Sequence, residues 1–153
     1  MSPERVRELC VENLTKGPDI TSAEGWDDSS RPCGLLIGFS SGARLWVAIT
    51  TAASATSAAP ARAATAASAP LPQLFDRNGR ITAQRAESYL AAVLMDARTP
   101  HIAAAYAYSV SAAKHPGIGL HLADGGRAFL PFVYAAAAGS APARRPFSLA
   151  YAF

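Results

Sequence analysis

Little in this 153-residue chain announces chemistry. It has two cysteines and three histidines. No Walker loop, no G-x-S-x-G elbow and no G-x-G-x-x-G between a strand and a helix occurs in it, so the familiar phosphate-cradle and nucleophile-elbow enzymes are not indicated. Two cysteines are too few for a disulfide scaffold or a Cys-rich zinc site. Cys10 falls in a predicted helix and Cys33 beside a predicted strand, so both are expected as reduced, buried thiols. Long hydrophobic runs are also missing. The longest candidate, Leu35–Ala53, is broken by Ser40, Ser41, Gly42 and Arg44, which excludes a spanning helix there. The opening Met1-Ser-Pro-Glu-Arg-Val-Arg-Glu8 is charged and has no apolar core of a secretory signal. The expectation is a cytoplasmic protein with no membrane partner.

Large apolar side chains are scarcer than the 50% hydrophobic content implies, because alanine supplies much of it and buries little area. A chain of this length can still fold as one domain without staples. Charge is uneven. Residues 1–51 carry seven acids and five bases (net −2), and residues 52–153 carry four acids and nine bases (net +5). No dense Lys/Arg stripe of a dedicated nucleic-acid binder is present.

What the chain does have is a pattern that occurs twice. Gly34-Leu-Leu-Ile-Gly-Phe-Ser-Ser-Gly-Ala-Arg-Leu-Trp-Val-Ala-Ile49 aligns without a gap on Gly117-Ile-Gly-Leu-His-Leu-Ala-Asp-Gly-Gly-Arg-Ala-Phe-Leu-Pro-Phe132, 83 residues later. Gly34/Gly117, Gly42/Gly125 and Arg44/Arg127 are identical, and apolar residues alternate on both sides of each turn. Each copy reads as a β-hairpin. A loop Ser41-Gly42-Ala43 pairs Phe39 with Leu45, Ile37 with Val47 and Leu35 with Ile49; a two-residue Ser41-Gly42 loop, which shifts that assignment by one place, is the alternative. A loop Asp124-Gly125-Gly126 pairs Leu122 with Ala128, Leu120 with Leu130 and Ile118 with Phe132. The opposite face then carries Leu36, Gly38, Arg44, Trp46 and Ala48 in the first hairpin and His121, Arg127 and Phe129 in the second.

A helix precedes each hairpin. Ser2 before Pro3-Glu4 is an N-cap, and Val6, Leu9, Val11 and Leu14 form an apolar side that ends at Gly17-Pro18. Thr82 caps a second helix running to Arg98, with Ala86, Leu90, Val93, Leu94 and Ala97 at helical spacing. Asp19–Arg31 reads as a polar loop, with Glu24, Asp27 and Asp28 as solvated acids around Trp26. Asp76-Arg-Asn-Gly79 is a turn. Residues 100–111 are ambiguous, and a helical turn followed by a strand near Ala107–Ser111 is expected. Residues 52–72 hold eleven alanines, three prolines and one charge and read as a flexible connector. The predicted fold is therefore α+β: two α-β-β units sharing one antiparallel sheet packed against helices. Its first half is 1–51, its connector 52–72, and its second half, with a C-terminal extension, 73–153.

For function, His115, His121 and Asp124 form an H-x5-H-x2-D string. Strand direction sends His121 to a sheet face and Asp124 to a loop, so no metal and no cofactor is expected. The pairs Arg44/Trp46 and Arg127/Phe129 place an arginine and an aromatic ring two residues apart on one strand, hence on one face. Such residues anchor protein interfaces. The tail Arg144-Arg145-Pro-Phe147, with Leu149, Tyr151 and Phe153 alternating, reads as a closing strand of the domain or a docking peptide. The leading expectation is a non-catalytic protein-binding or assembly module, with a protein partner or a homo-oligomer, acting through Arg44, Trp46, Arg127, Phe129, Arg144 and Arg145. The alternatives are a weak nucleic-acid-binding accessory protein using Arg127, Arg144 and Arg145, and an enzyme with an unrecognised site near His121 and Asp124.

Overall fold

The Ser2 hydroxyl accepts from the Arg5 backbone N–H at 3.2 Å, and Pro3 and Glu4 fill the first turn of helix α1, Pro3–Leu14. Thr82 does the same for α2, Ala83–Asp96, accepting from Arg85 N–H at 3.3 Å. The computed structural model describes residues 1–52, 71–97, 99–108 and 115–153. In chain order its strands are β1 (Ile20–Trp26), β2 (Gly34–Phe39), β3 (Arg44–Ala48), β4 (Thr50–Ala52), β5 (Ile102–Ala107), β6 (Gly117–Leu122) and β7 (Arg127–Ala136). All pairings are antiparallel in one seven-stranded sheet of order β1-β2-β3-β7-β6-β5, with β4 continuing the line of β3 along β7. The fold is α+β, with two helices and one antiparallel sheet among the described residues.

Both hairpins are present, but each three-residue loop sits one position earlier than the sequence suggests, so every cross-strand partner shifts by two. Ile37 faces Leu45 and Leu35 faces Val47, while Ile118 faces Leu130 and Leu120 faces Ala128. In each turn the left-handed glycine is the last loop residue, not the central one. Gly42 has φ +89° and Gly125 φ +91°. The bond that closes the loop runs from Phe39 N to Ala43 O (3.0 Å) in one hairpin and from Leu122 N to Gly126 O (2.9 Å) in the other. A slip of two preserves which face each side chain occupies.

Three further readings need correction. Residues Ile20–Trp26 form strand β1, not a loop; β1 is an edge strand with only Ile20 fully buried, so it lacks an apolar alternation. Residues Thr50–Ala52 add β4, and β5 starts at Ile102, ahead of the strand expected near Ala107. Each helix is therefore followed by at least three strands instead of two. The expected flexible connector lies, over residues 53–70, outside the described residues, as does the end of the 100–111 segment.

One hydrophobic cluster contains side chains of both helices and both hairpins, Ile37 and Leu120 among them. Helix α1 packs on β1 and β2, and α2 on β5 and β6. The Tyr89 hydroxyl of α2, buried with its ring, accepts from Asp19 N–H at 2.9 Å and so ties the second helix to the start of β1. The C-terminal tail forms no continuous strand. It returns to the body at Phe153, whose N–H and C=O pair with Ile81 at 2.9 and 2.8 Å and whose ring is buried in the core. No helix among the described residues is long and apolar enough to cross a membrane.

Candidate binding face

Because successive strand residues point to opposite faces, burying Leu35, Ile37, Leu45, Val47, Ile118, Leu120 and Leu130 against the helices sends their neighbours to the other side. No helix of the described residues covers that side. Across the strands, Glu24 faces Leu36, Leu36 faces Trp46, and Trp46 faces Tyr134. Along the next line Trp26 faces Gly34 and Gly34 faces Ala48. On the far half, Tyr106 faces Gly119, Gly119 faces Phe129, and His121 faces Arg127.

The glycines make room for rings. A methyl at Gly34 would meet the Trp26 ring, one at Gly117 the Tyr108 ring, and one at Gly119 the Tyr106 ring. Trp26 and Trp46 both meet Tyr134 edge-on, with centroids 6.1 and 6.3 Å away. Arg44 lies over Trp46, its Cζ 4.9 Å from the ring centroid, and donates Nη2–H to Ser140 O at 2.8 Å. That stack contributes about 0.5–1 kcal/mol where partly exposed. On the other half Tyr106 packs against Tyr108 at 6.3 Å and against the His121 ring at 5.4 Å. Burial, with Tyr106 adding, pushes the Tyr108 hydroxyl up to about 12, against an opposing backbone hydrogen bond at Leu130. Burial and then the neighbouring Arg127 hold His121 below its ordinary value, so its imidazole is favoured in the neutral form.

The expected site residues divide into two groups. Arg44, Trp46, Arg127 and Phe129 do share the helix-free face: Arg44 is stacked on Trp46 and half-exposed, Trp46 is nearly covered, Phe129 is half-buried and Arg127 is exposed. Arg144 and Arg145 are exposed on the tail and are not part of the ring cluster. Trp26, Tyr106, Tyr108 and Tyr134 join the face without having been expected there. The period-2 alternation of Tyr106 and Tyr108 was a signal for the first pair, but Trp26 needed β1 to be recognised.

His115, His121 and Asp124 are not brought together. His115 Nε2 pairs with Phe132 O at 2.7 Å and its ring meets Phe147 edge-on at 4.8 Å. His121 lies beside Tyr106, and Asp124 accepts from Gly126 N–H and pairs with the Met1 amino group, both at 2.8 Å. No group of three or more metal-capable side chains occurs among the described residues. Cys10 and Cys33 are both buried and unbridged; burial, with Cys33 nearby, pushes the Cys10 thiol up to about 12. One buried acid escaped the sequence reading: Glu87 of α2, 0% exposed, accepts from Gly117 N–H at 3.1 Å at the start of β6. Comparison with protein-family models, curated proteins and solved structures returns no match.

Proposed function

We propose that the chain is a non-catalytic binding module built from two like halves, residues 1–51 and 73–153, and that it self-associates through the helix-free sheet face around Arg44, Trp46, Arg127 and Phe129. The observation that carries this is the placement of both helices on one side of the sheet. It leaves six aromatic rings and two arginines on the other side: Trp26, Trp46, Tyr106, Tyr108, Phe129 and Tyr134, with Arg44 and Arg127. Rings of this kind with arginine are the side chains that anchor protein interfaces.

The two-halves part of the reading is supported by backbone bonds that recur 82 or 83 residues apart. Ile49 N bonds Cys33 O at 3.0 Å, and Phe132 N bonds Pro116 O at 3.0 Å. Ser40 N bonds Asp19 O at 2.8 Å, and Ala123 N bonds His101 O at 2.9 Å. Register shifts fall between Ile20 and Ser22 in β1 and between Ile102 and Ala104 in β5. With β3 and β7 antiparallel at the centre, like halves present like rings at each end of the face, Trp26 answering Tyr108 and Trp46 answering Phe129. A surface of that kind suits an isologous partner, a second copy of the chain.

Light scattering from micromolar to millimolar protein tests it. The expected result is a dimer that Arg127→Glu weakens, since the substitution puts an opposite charge on an exposed position of the face. A monomer at every concentration, or a dimer indifferent to this charge reversal, removes the proposal.

A further inference from the structure

We propose that the C-terminal segment presents a contact for single-stranded nucleic acid, in which Arg144 and Arg145 meet phosphates while Phe147 and Tyr151 stack on bases. These residues lie on the tail, outside the ring cluster, and the proposal does not depend on the self-association reading.

Charge is the first support. After Asp124 the sequence contains three arginines and no acidic residue. Arg144 and Arg145 are exposed, and neither belongs to an ion pair among the described residues. Arg31 also reaches this region, its guanidinium 5.2 Å from the Phe147 ring centroid, but it pairs with Asp28 at 2.7 Å. The uncompensated cations are therefore Arg144 and Arg145.

Exposure of rings is the second. Phe147 at 44% and Tyr151 at 85% are the exposed large hydrophobic side chains among the described residues, and both lie within seven residues of Arg145. Within the segment Leu149 is partly buried on the core and Phe153 is buried, while Phe147 and Tyr151 both remain open to solvent.

The segment is also held in place. Phe147 N–H donates to Val133 O at 2.8 Å, and Phe153 pairs with Ile81 through both backbone groups. Phe147 itself has φ +65°, a left-handed conformation that bulky residues seldom take. A ring presented from an anchored backbone loses less freedom on binding. Together, cations beside outward rings match a strand whose bases are unstacked and whose phosphates run alongside. A duplex hides its bases from Tyr151, and a membrane surface calls for a broader apolar face, such as an amphipathic helix, than two rings provide.

The test is fluorescence anisotropy of the full chain with labelled oligothymidylate of about 20 nucleotides, titrated between about 50 and 200 mM salt. Two phosphate contacts predict a log–log salt slope of about −1.4. Arg144→Ala/Arg145→Ala is expected to weaken binding at least about tenfold and flatten that slope. Tyr151→Ala is expected to weaken it at least about fivefold. Both variants alter exposed positions, so far-UV circular dichroism should be unchanged. No measurable binding overturns the proposal. So does binding that either variant leaves unchanged, equal affinity for a duplex of the same length, or a preference for phosphatidylserine vesicles over the oligonucleotide.

Discussion

Alanine at Gly34 and at Gly117 places a matched perturbation in each half of the sheet. A methyl at 34 would lie 2.5 Å from the Val47 carbonyl oxygen and 2.7 Å from the Trp26 ring. At 117 it would lie 2.8 Å from the Leu130 carbonyl oxygen and 2.7 Å from the Tyr108 ring. The rings can swing aside. The carbonyls cannot, because Val47 and Leu130 belong to paired neighbouring strands. Overpacking of this kind costs about 1–3 kcal/mol, and the reduced freedom of the unfolded chain returns about 0.4–1 kcal/mol. Each variant should therefore lose about 1–2 kcal/mol, and its Tm should fall by about 2–8 °C. Strands β3 and β7 separate the two positions by roughly 14 Å, so the double variant should be additive within about 0.5 kcal/mol. Gly79→Ala is the comparison: its methyl meets nothing within 4 Å and suffers only from φ +75°. Urea unfolding followed by far-UV circular dichroism, together with a thermal melt, reads the four variants against the parent. A Gly34→Ala or Gly117→Ala variant as stable as the parent would refute the close strand approach on which the packing of both rings rests.

Two further outcomes follow from the burial pattern. With its thiol pushed up to about 12, Cys10 should resist iodoacetamide at pH 8 in the native state and react only on unfolding; mass spectrometry of the labelled peptide checks this, and rapid native labelling would contradict it. His121 is held below its ordinary value by burial and Arg127, so the unfolded chain binds its proton more readily than the folded one. Stability should thus be complete above the unfolded value near 6.5 and decline as pH falls below it, and His121→Asn should flatten that slope in urea titrations between about pH 5 and 7.

Helices were legible because their ends are written in local chemistry: Ser2 with Pro3, and Thr82 before a run of strong helix formers. The two hairpins were legible because apolar alternation flanks a glycine that must take positive φ. Their exact closure was not, since a three-residue loop can be placed one position earlier or later, and only Phe39 and Leu122 closing onto Ala43 and Gly126 decide it. Strand β1 was hidden because Ile-Thr-Ser-Ala-Glu-Gly-Trp pairs on one side only and exposes Thr21, Ser22, Glu24 and Gly25. The start of β5 was hidden because three consecutive alanines carry no face preference. On the candidate face, the side-chain parity of Arg44, Trp46, Arg127 and Phe129 survived the register error, since a slip of two leaves every residue on its side. The meeting of Trp46 with Tyr134 was beyond the sequence, because it depends on β3 pairing with β7 across most of the chain.

That β3–β7 pairing joins the two ribbons into one sheet and sets the ring cluster on its helix-free side. Proton nuclear Overhauser contacts between the Trp46 and Tyr134 rings, whose centroids stand 6.3 Å apart, test it directly. Cross-peaks between those rings, accompanied by cross-strand backbone contacts from Leu45 to Ala135, are the predicted result. Their absence, with Trp46 instead in contact with residues of α1 or α2, would contradict it.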